Sequence, residues 1–400
     1  MKITSKRILA IAALASLAQL AFSTETGGLI SNDTKFENIE KDGSLKLDQK
    51  NGINLWLRTP VSEDGESYFA AEGSFQFEHD GRIEDSDKKM KLYADVNLFK
   101  LVVKKELEAG NVTFSAGRFF NSDLTGVIFT QNADGVKLDA EISRLNVSLY
   151  GAYTGLLNAK NITILGKGDI KTDLTDKEKT VYVMANKFAV GGLTVSLPYI
   201  FASQTVSLEG FAAFSAESTK YNRFYGTFAL NGPIVSPLFY SVSSTMGFAK
   251  YDDQDMEKGN LTKGSLSIYP DYKSMAVSFN ALYASGEQGS FKRFQGFTSG
   301  TAVNSLSEPE YSGLMKLGLS ASIKPVEKLL LFANGDLVFD AAAGEENKDI
   351  KQAGFQYMAG LNFQAVSDVL LGASFGQFIG KEDYEQGNKT QLKINAAIAF

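Results

Sequence analysis

The chain has no cysteine, a single histidine and only 7 prolines in 400 residues. Without cysteine, nothing can rest on disulfides or thiol chemistry, and His79 alone excludes metal sites built on Cys and His. After residue 23 no run of about 18 apolar residues occurs, which excludes membrane-spanning helices. Positive charge is in deficit as well, with 40 Lys and Arg against 46 Asp and Glu for a formal net charge of −6. A nucleic-acid partner needs a basic face, so that balance argues against one.

What is abundant points elsewhere. The chain carries 29 Phe, 16 Tyr and 37 Gly, and apolar and polar residues alternate nearly throughout. Over residues 67–78, Phe69, Ala71, Phe75 and Phe77 oppose Glu72, Ser74, Gln76 and Glu78. The same alternation recurs over 91–98, 145–153, 206–214, 238–248, 277–283, 315–323 and 355–364. A period of two sends each set to one face of a strand. Segments of about ten residues suit tilted strands that cross a bilayer. A soluble sandwich would alternate too. The connections decide between them: they alternate short and long, and aromatics gather at strand ends as an interfacial girdle would.

Both ends of the chain indicate the same compartment. Residues 1–23 read as a signal peptide, with Lys2, Lys6 and Arg7 before an apolar stretch at 8–20 and a small-residue site at Ala21-Phe22-Ser23. Cleavage before Thr24 removes three basic residues and leaves 377 residues with a formal charge of −9. At the other end, Leu392, Ile394, Ala396, Ile398 and the terminal Phe400 alternate with Gln391, Lys393 and Asn395. This ending, behind a signal peptide, resembles that of bacterial outer-membrane β-barrels, where it is read by the barrel-insertion machinery. The resemblance is to porin-like barrels as a class. It implies an integral outer-membrane protein, all-β, whose antiparallel up-and-down barrel contacts lipid. A homotrimeric assembly is left open.

Walking back from the C-terminus gives 16 strands, within a range of 14 to 18, the first over residues 67–78. Residues 51–59 alternate as well, and a partner for them within 29–39 would raise the count to 18. Residues 45–400 then form a single barrel domain, with 24–44 as a short periplasmic or lumenal lead-in.

A barrel this wide encloses water, and the charges on its inward parity set selectivity. The inward candidates are Arg58, Glu72, Gln76, Glu78, Lys91, Asp95, Asn97, Glu209, Lys316, Asn334 and Asp336. Their mixed signs tilt acidic, which weakly favours cations. The third long connection in this count spans 155–180. In general porins, which the pattern resembles, that loop folds inward. Residues 162–165 would pin it, placing Lys160, Lys167, Asp169, Asp173 and Asp176 at a constriction. Over 285–310, Phe291, Lys292, Arg293, Phe294 and Phe297 read as a self-packed loop tip. Uninterrupted parity aims Arg118 at lipid, unless a bulge at Gly117 re-aims it.

The function expected is passive diffusion of small hydrophilic solutes or ions, with no cofactor, no metal and no catalysis. One alternative is a transporter of hydrophobic substrates similar to the fatty-acid channel family. That family carries an apolar N-terminal hatch, and 24–44 hold few apolar residues. Another alternative is a surface adhesin or antigen carried by the loops. His79-Asp80, at the rim of the first strand, reads as a loop pair rather than a catalytic base.

Overall fold

The computed structural model describes residues 24–400 apart from 40–43, 83–88, 167–179, 218–219, 253, 271, 273, 287–291, 299–305, 307–312, 342–349 and 382–386. The expected signal peptide lies outside the described residues. The alternating segments form strands: β1 (Glu25–Ile39), β2 (Ser44–Pro60), β3 (Tyr68–Arg82), β4 (Lys89–Leu107), β5 (Gly110–Ser122) and β6 (Thr130–Ile142). Next come β7 (Leu145–Tyr153), β8 (Phe188–Leu197), β9 (Thr205–Ser215), β10 (Tyr221–Val235), β11 (Leu238–Tyr251) and β12 (Glu257–Ile268). The last six are β13 (Ala276–Ala284), β14 (Leu314–Val326), β15 (Leu329–Asp340), β16 (Lys351–Val366), β17 (Val369–Gly380) and β18 (Lys389–Ala399).

Each strand pairs antiparallel with its sequence neighbours, and β1 pairs with both β2 and β18. That last pairing closes the sheet into an 18-stranded barrel and leaves no free edge. The preferred count of 16 is therefore two short, and the lead-in reading of 24–44 is corrected. Residues 25–39 are the upward partner that 51–59 required. Asp33, Lys35 and Glu37 look inward, and Asn32 and Thr34 make the middle of the outward parity polar as well.

On the inner face a lattice of ion pairs ties β1 to both of its neighbours, β2 and β18. Lys35 meets Asp48 at 2.6 Å, Lys393 meets Asp33 at 2.8 Å and Lys389 meets Glu37 at 3.2 Å. The opposite parity forms an apolar outer belt. Leu55, Leu208 and Leu319 are 56 %, 57 % and 60 % exposed, and Phe75, Phe279, Phe375, Leu392, Ile394 and Ile398 join them. A belt of this extent would be a liability in water and is the natural outer face of a transmembrane barrel. Two-residue turns at 108–109, 143–144, 327–328 and 367–368 mark one rim. The long connections 154–187 and 285–313 rise from the other.

Candidate pore constriction

One hairpin leaves the wall. The β4–β5 ladder stops at Phe99–Arg118, and the β6–β7 ladder stops at Asp134–Tyr153. Beyond those points residues 119–122 and 130–133 pair only with each other. The departure occurs at Gly117, whose φ of +118° is open to glycine but strained for other residues. A Cβ there would stand 2.1 Å from the Phe99 carbonyl oxygen.

The tip of this hairpin, 123–129, is shaped by one carboxylate. Asp123 accepts the backbone N–H groups of Thr125 (2.8 Å), Ile128 (2.9 Å) and Phe129 (2.8 Å), and the Thr125 hydroxyl. Gly126 supplies the left-handed residue, φ +65°, that lets the chain turn inside this ring of donors. The tip then reaches across the lumen. The Leu124 N–H donates to Glu209 Oε2 on β9 at 3.1 Å, and Lys263 Nζ on β12 donates to the Thr125 carbonyl. Val127, Ile128 and Phe129 are essentially inaccessible. The Phe129 ring lies 5.4 Å from Phe211, 5.7 Å from Phe297 and 6.3 Å from Tyr150.

Two further segments lock onto the tip. The N–H groups of Phe297 and Thr298 both donate to the Ile128 carbonyl, at 3.1 and 3.0 Å. The Leu165 N–H donates to the Phe297 carbonyl at 2.9 Å. Arg223 of β10, fully buried, holds the two segments together. Its Nη1 donates to the Gly296 carbonyl at 2.8 Å and its Nη2 to the Leu165 carbonyl. Its guanidinium also lies 4.6 Å from the Phe297 and Tyr221 ring centres and 5.2 Å from Phe188. Carbonyl dipoles and ring faces thus solvate a cation that has no carboxylate partner among the described residues.

The hairpin's departure opens the wall between β4 and β7, and side chains with a loop ribbon fill it. Arg118 forks onto Asp134 with Nε–Oδ1 and Nη2–Oδ2 both at 2.8 Å. It also donates to the carbonyls of Val96 and Leu156, each at 2.8 Å. Asn132 Nδ2 donates to the Asn97 carbonyl at 2.7 Å, and Asn158 Nδ2 to the Ala94 carbonyl at 3.1 Å. The Ala94 N–H donates to the Val181 carbonyl at 3.3 Å. The ribbon pairs Leu157 and Ala159 with Ala185 and Val183, turns those four inward, and exposes Leu156, Tyr182 and Met184. Those exposed residues continue the apolar belt.

Among the described residues, two lumenal spaces flank the tip and its supports. One, of about 560 Å³, lies against β9–β15 and is lined by Leu124, Asn231, Lys263, Asn280, Lys316 and Asp336. The other, of about 480 Å³, runs along β1–β3 and β15–β18 between Asp33, Lys35, Asp48, Lys50, Glu78 and Lys393.

The expected inward residues fall as follows. Lys316, Asn334 and Asp336 cluster in the first space, where Lys316 lies 3.4 Å from Asp336 and Gln356 Nε2 donates to Asp336 at 2.7 Å. Glu209 anchors the hairpin tip, and the Thr194 hydroxyl donates to it at 3.0 Å. Asp95 is buried, 3.4 Å from Arg118, and accepts from Asn161 Nδ2 at 2.9 Å. Asn97 Nδ2 donates to Glu72 at 3.0 Å and Asn97 Oδ1 accepts from Ser74, while Gln76 accepts from Tyr93. Glu78 lines the second space and pairs in register with Lys91. Arg58 stands at the short-turn rim, 3.8 Å from Glu25 and 4.3 Å over the Tyr68 ring.

A tip that the alternation did not reveal crosses the lumen ahead of the expected loop. With β1 and β2 counted, 155–180 belongs to the fourth connection at its rim and the inward tip 123–129 is the third. Lys160 is buried and donates to the Thr180 carbonyl, so it braces the loop rather than lining open space. Lys167, Asp169, Asp173 and Asp176 lie outside the described residues. Residues 164 and 165 do pin the loop, on Thr298 and Phe297. Arg118 keeps the outward parity that uninterrupted alternation gives it, with no bulge at Gly117; the backbone turns away from the wall there, so the side chain meets the wall seam rather than lipid. Phe294 and Phe297 pack in the lumen rather than on an exposed tip. His79 falls on the outward parity, in register with Gln49 of β2. Asp123, Arg223 and Lys263 were not anticipated. The one signal for them in the sequence is the turn chemistry of Asp123-x-Thr125.

Compared by sequence, the chain matches no protein-family model and no curated protein. Compared by structure, it is similar to proteins solved from Pseudomonas aeruginosa. OpdQ superposes with a TM-score of 0.62 at 11 % identity, covering 94 % of this chain and 99 % of that one. OccK2 (OpdF) gives 0.62 at 11 % over 94 % and 98 %, and OccK11 (OpdR) gives 0.59 at 13 % over 94 % and 96 %. The shared property is the fold.

Proposed function

We propose that this chain is a porin-like channel of the bacterial outer membrane through which small hydrophilic solutes or ions diffuse passively. The carrying observation is the β5–β6 hairpin, which crosses a closed barrel at mid-height and leaves charged, hydroxyl-rich space beside it. A wide barrel without such a bar would pass solutes with little discrimination. With it, steric width and the facing charges Lys263, Lys316, Asp336 and Glu209 do the selecting. The fold shared with the Pseudomonas barrels supports the same reading. So does the polar lining of both lumenal spaces, which suits hydrated solutes better than the greasy cargo of a hydrophobic transporter.

In this reading the short-turn rim is periplasmic and the long connections face outward. Residues 1–23 direct export and are removed near Ser23. The outward stripe Leu392, Ile394, Ala396, Ile398 and Phe400 is the signal read by the insertion machinery, and transport needs no catalysis or cofactor. Planar-bilayer recording on refolded protein tests the proposal. Stepwise ohmic conductance is expected, and a barrel that inserts without conducting would end it.

A further inference from the structure

The two lumenal spaces differ in kind. The one along β1–β3 and β15–β18 is lined by acids and bases. The other, roofed by Leu124 and Thr125, lies on the short-turn side of the tip, and most of its wall carries no charge. Parity shows where that wall comes from. Next below Lys263, the inward positions of β10–β13 are hydroxyls and amides in register: Asn231 faces Ser241, Ser241 faces Ser265, and Ser265 faces Asn280. Neighbouring strands stand about 4.8 Å apart, so these side chains form a rail about 14 Å long across the wall.

Pairing sets this rail apart from other inward hydroxyls. Several of those satisfy each other across strands: Thr227 with Thr245 at 2.8 Å, Ser196 with Ser207 at 2.7 Å and Ser267 with Ser278 at 2.8 Å. Among the described residues, nothing pairs with the side chains of Asn231, Ser241, Ser243 and Ser265, all of which line the space. Asn280 gives one N–H to Ser320 at 3.1 Å. The charges beside the rail are already engaged. Lys316 lies 3.4 Å from Asp336, and Lys263 donates to the Thr125 carbonyl.

That division favours one solute chemistry. A hydroxyl both donates and accepts, and an amide does so through separate atoms. Such groups replace water bonds one for one when the solute is itself a chain of hydroxyls. An ion finds no free counter-charge here to offset the water it gives up. The volume, about 560 Å³, falls within the range of about 300–1,000 Å³ typical of small-molecule sites.

We infer that the Asn231–Ser241–Ser265–Asn280 rail is a binding site for neutral polyhydroxylated solutes, sugars or sugar alcohols, on the short-turn side of the tip. This rests on the channel reading above and adds to it: entry of such solutes saturates instead of being merely sieved.

The test uses the full mature chain in phosphatidylethanolamine–phosphatidylglycerol vesicles, offered labelled D-glucitol or labelled D-gluconate. The two share a carbon chain, and only gluconate carries a charge. Glucitol entry is expected to saturate, and to be slowed by unlabelled glucitol but not by gluconate. The double variant Ser241→Ala/Ser265→Ala removes two hydroxyls from a backbone ladder that stays paired, so heat-modifiable mobility and ion conductance should match the parent chain. It is expected to lose saturation and to admit dilute glucitol at least about fivefold more slowly, with gluconate entry unchanged. Ser374→Ala, in the charged space, should leave both rates as they were. Four outcomes would overturn the inference: glucitol entry that never saturates, equal competition by gluconate, an unchanged glucitol rate in the double variant, or an equal loss from Ser374→Ala. A chain that neither conducts nor admits either solute would overturn this inference and the channel reading together. A conducting chain that gives any of the four would overturn this one alone.

Discussion

The barrel wall is built in two ways. From β7 round through β18 and β1 to β4, neighbouring backbones pair along a continuous ladder, and side chains merely face water or lipid. Between β4 and β7, toward the long-connection rim, the ladder ends, and Arg118, Asn132, Asn158 and a loop ribbon satisfy the exposed carbonyls. The first construction is tolerant, because each residue adds one rung among many. The second concentrates the closure of the wall in a few side chains, since every buried carbonyl there depends on one donor.

The contrast predicts unequal costs. Arg118→Ala removes the fork on Asp134 and strands two carbonyls, so it should lower stability by about 3–5 kcal/mol. The expected readout is a lower temperature for loss of heat-modifiable mobility. Arg118→Lys, which keeps charge but not the fork, should recover only part of that loss. Arg223→Ala frees the segments containing Leu165 and Gly296 and should raise single-channel conductance severalfold with the barrel intact. Asp123→Ala leaves three tip N–H groups without their acceptor, each worth about 1–3 kcal/mol. It should give noisier, larger currents than the parent chain. Lys393→Ala, on the ladder side, breaks a half-exposed pair with Asp33 and should cost under about 1 kcal/mol. If Lys393→Ala proved as damaging as Arg118→Ala, the distinction between the two walls would fail.

The same division explains how far the sequence could be read. Ladder strands obey period two, so segments such as 67–78 and 391–400 are legible residue by residue, inner and outer faces included. β1 escaped because Asn32 and Thr34 spoil its outward parity, and a strand polar on both faces reads as no strand. The inward hairpin escaped for another reason. Period two continues through Phe114, Ala116 and Arg118, and only the backbone at Gly117 turns the ribbon away from the wall. The residues that hold the constriction act on backbone carbonyls and amides: Asp123 on its own turn, Arg223 on loops 58 and 73 positions away. Partners that distant leave no spacing in the sequence. Glu209, Lys316 and Asp336 were legible because facing the lumen is a matter of parity alone.

The claim that the 123–129 tip bars a water-filled lumen is open to a direct electrical test. Leu124 lines the larger lumenal space, so Leu124→Cys gives the chain one thiol at the bar. Recording that variant before and after reaction with a charged methanethiosulfonate, beside the outward-facing Phe279→Cys, should show stepwise loss of most of the current in the first and none in the second. Full modification of Leu124→Cys with an unchanged current would contradict the account.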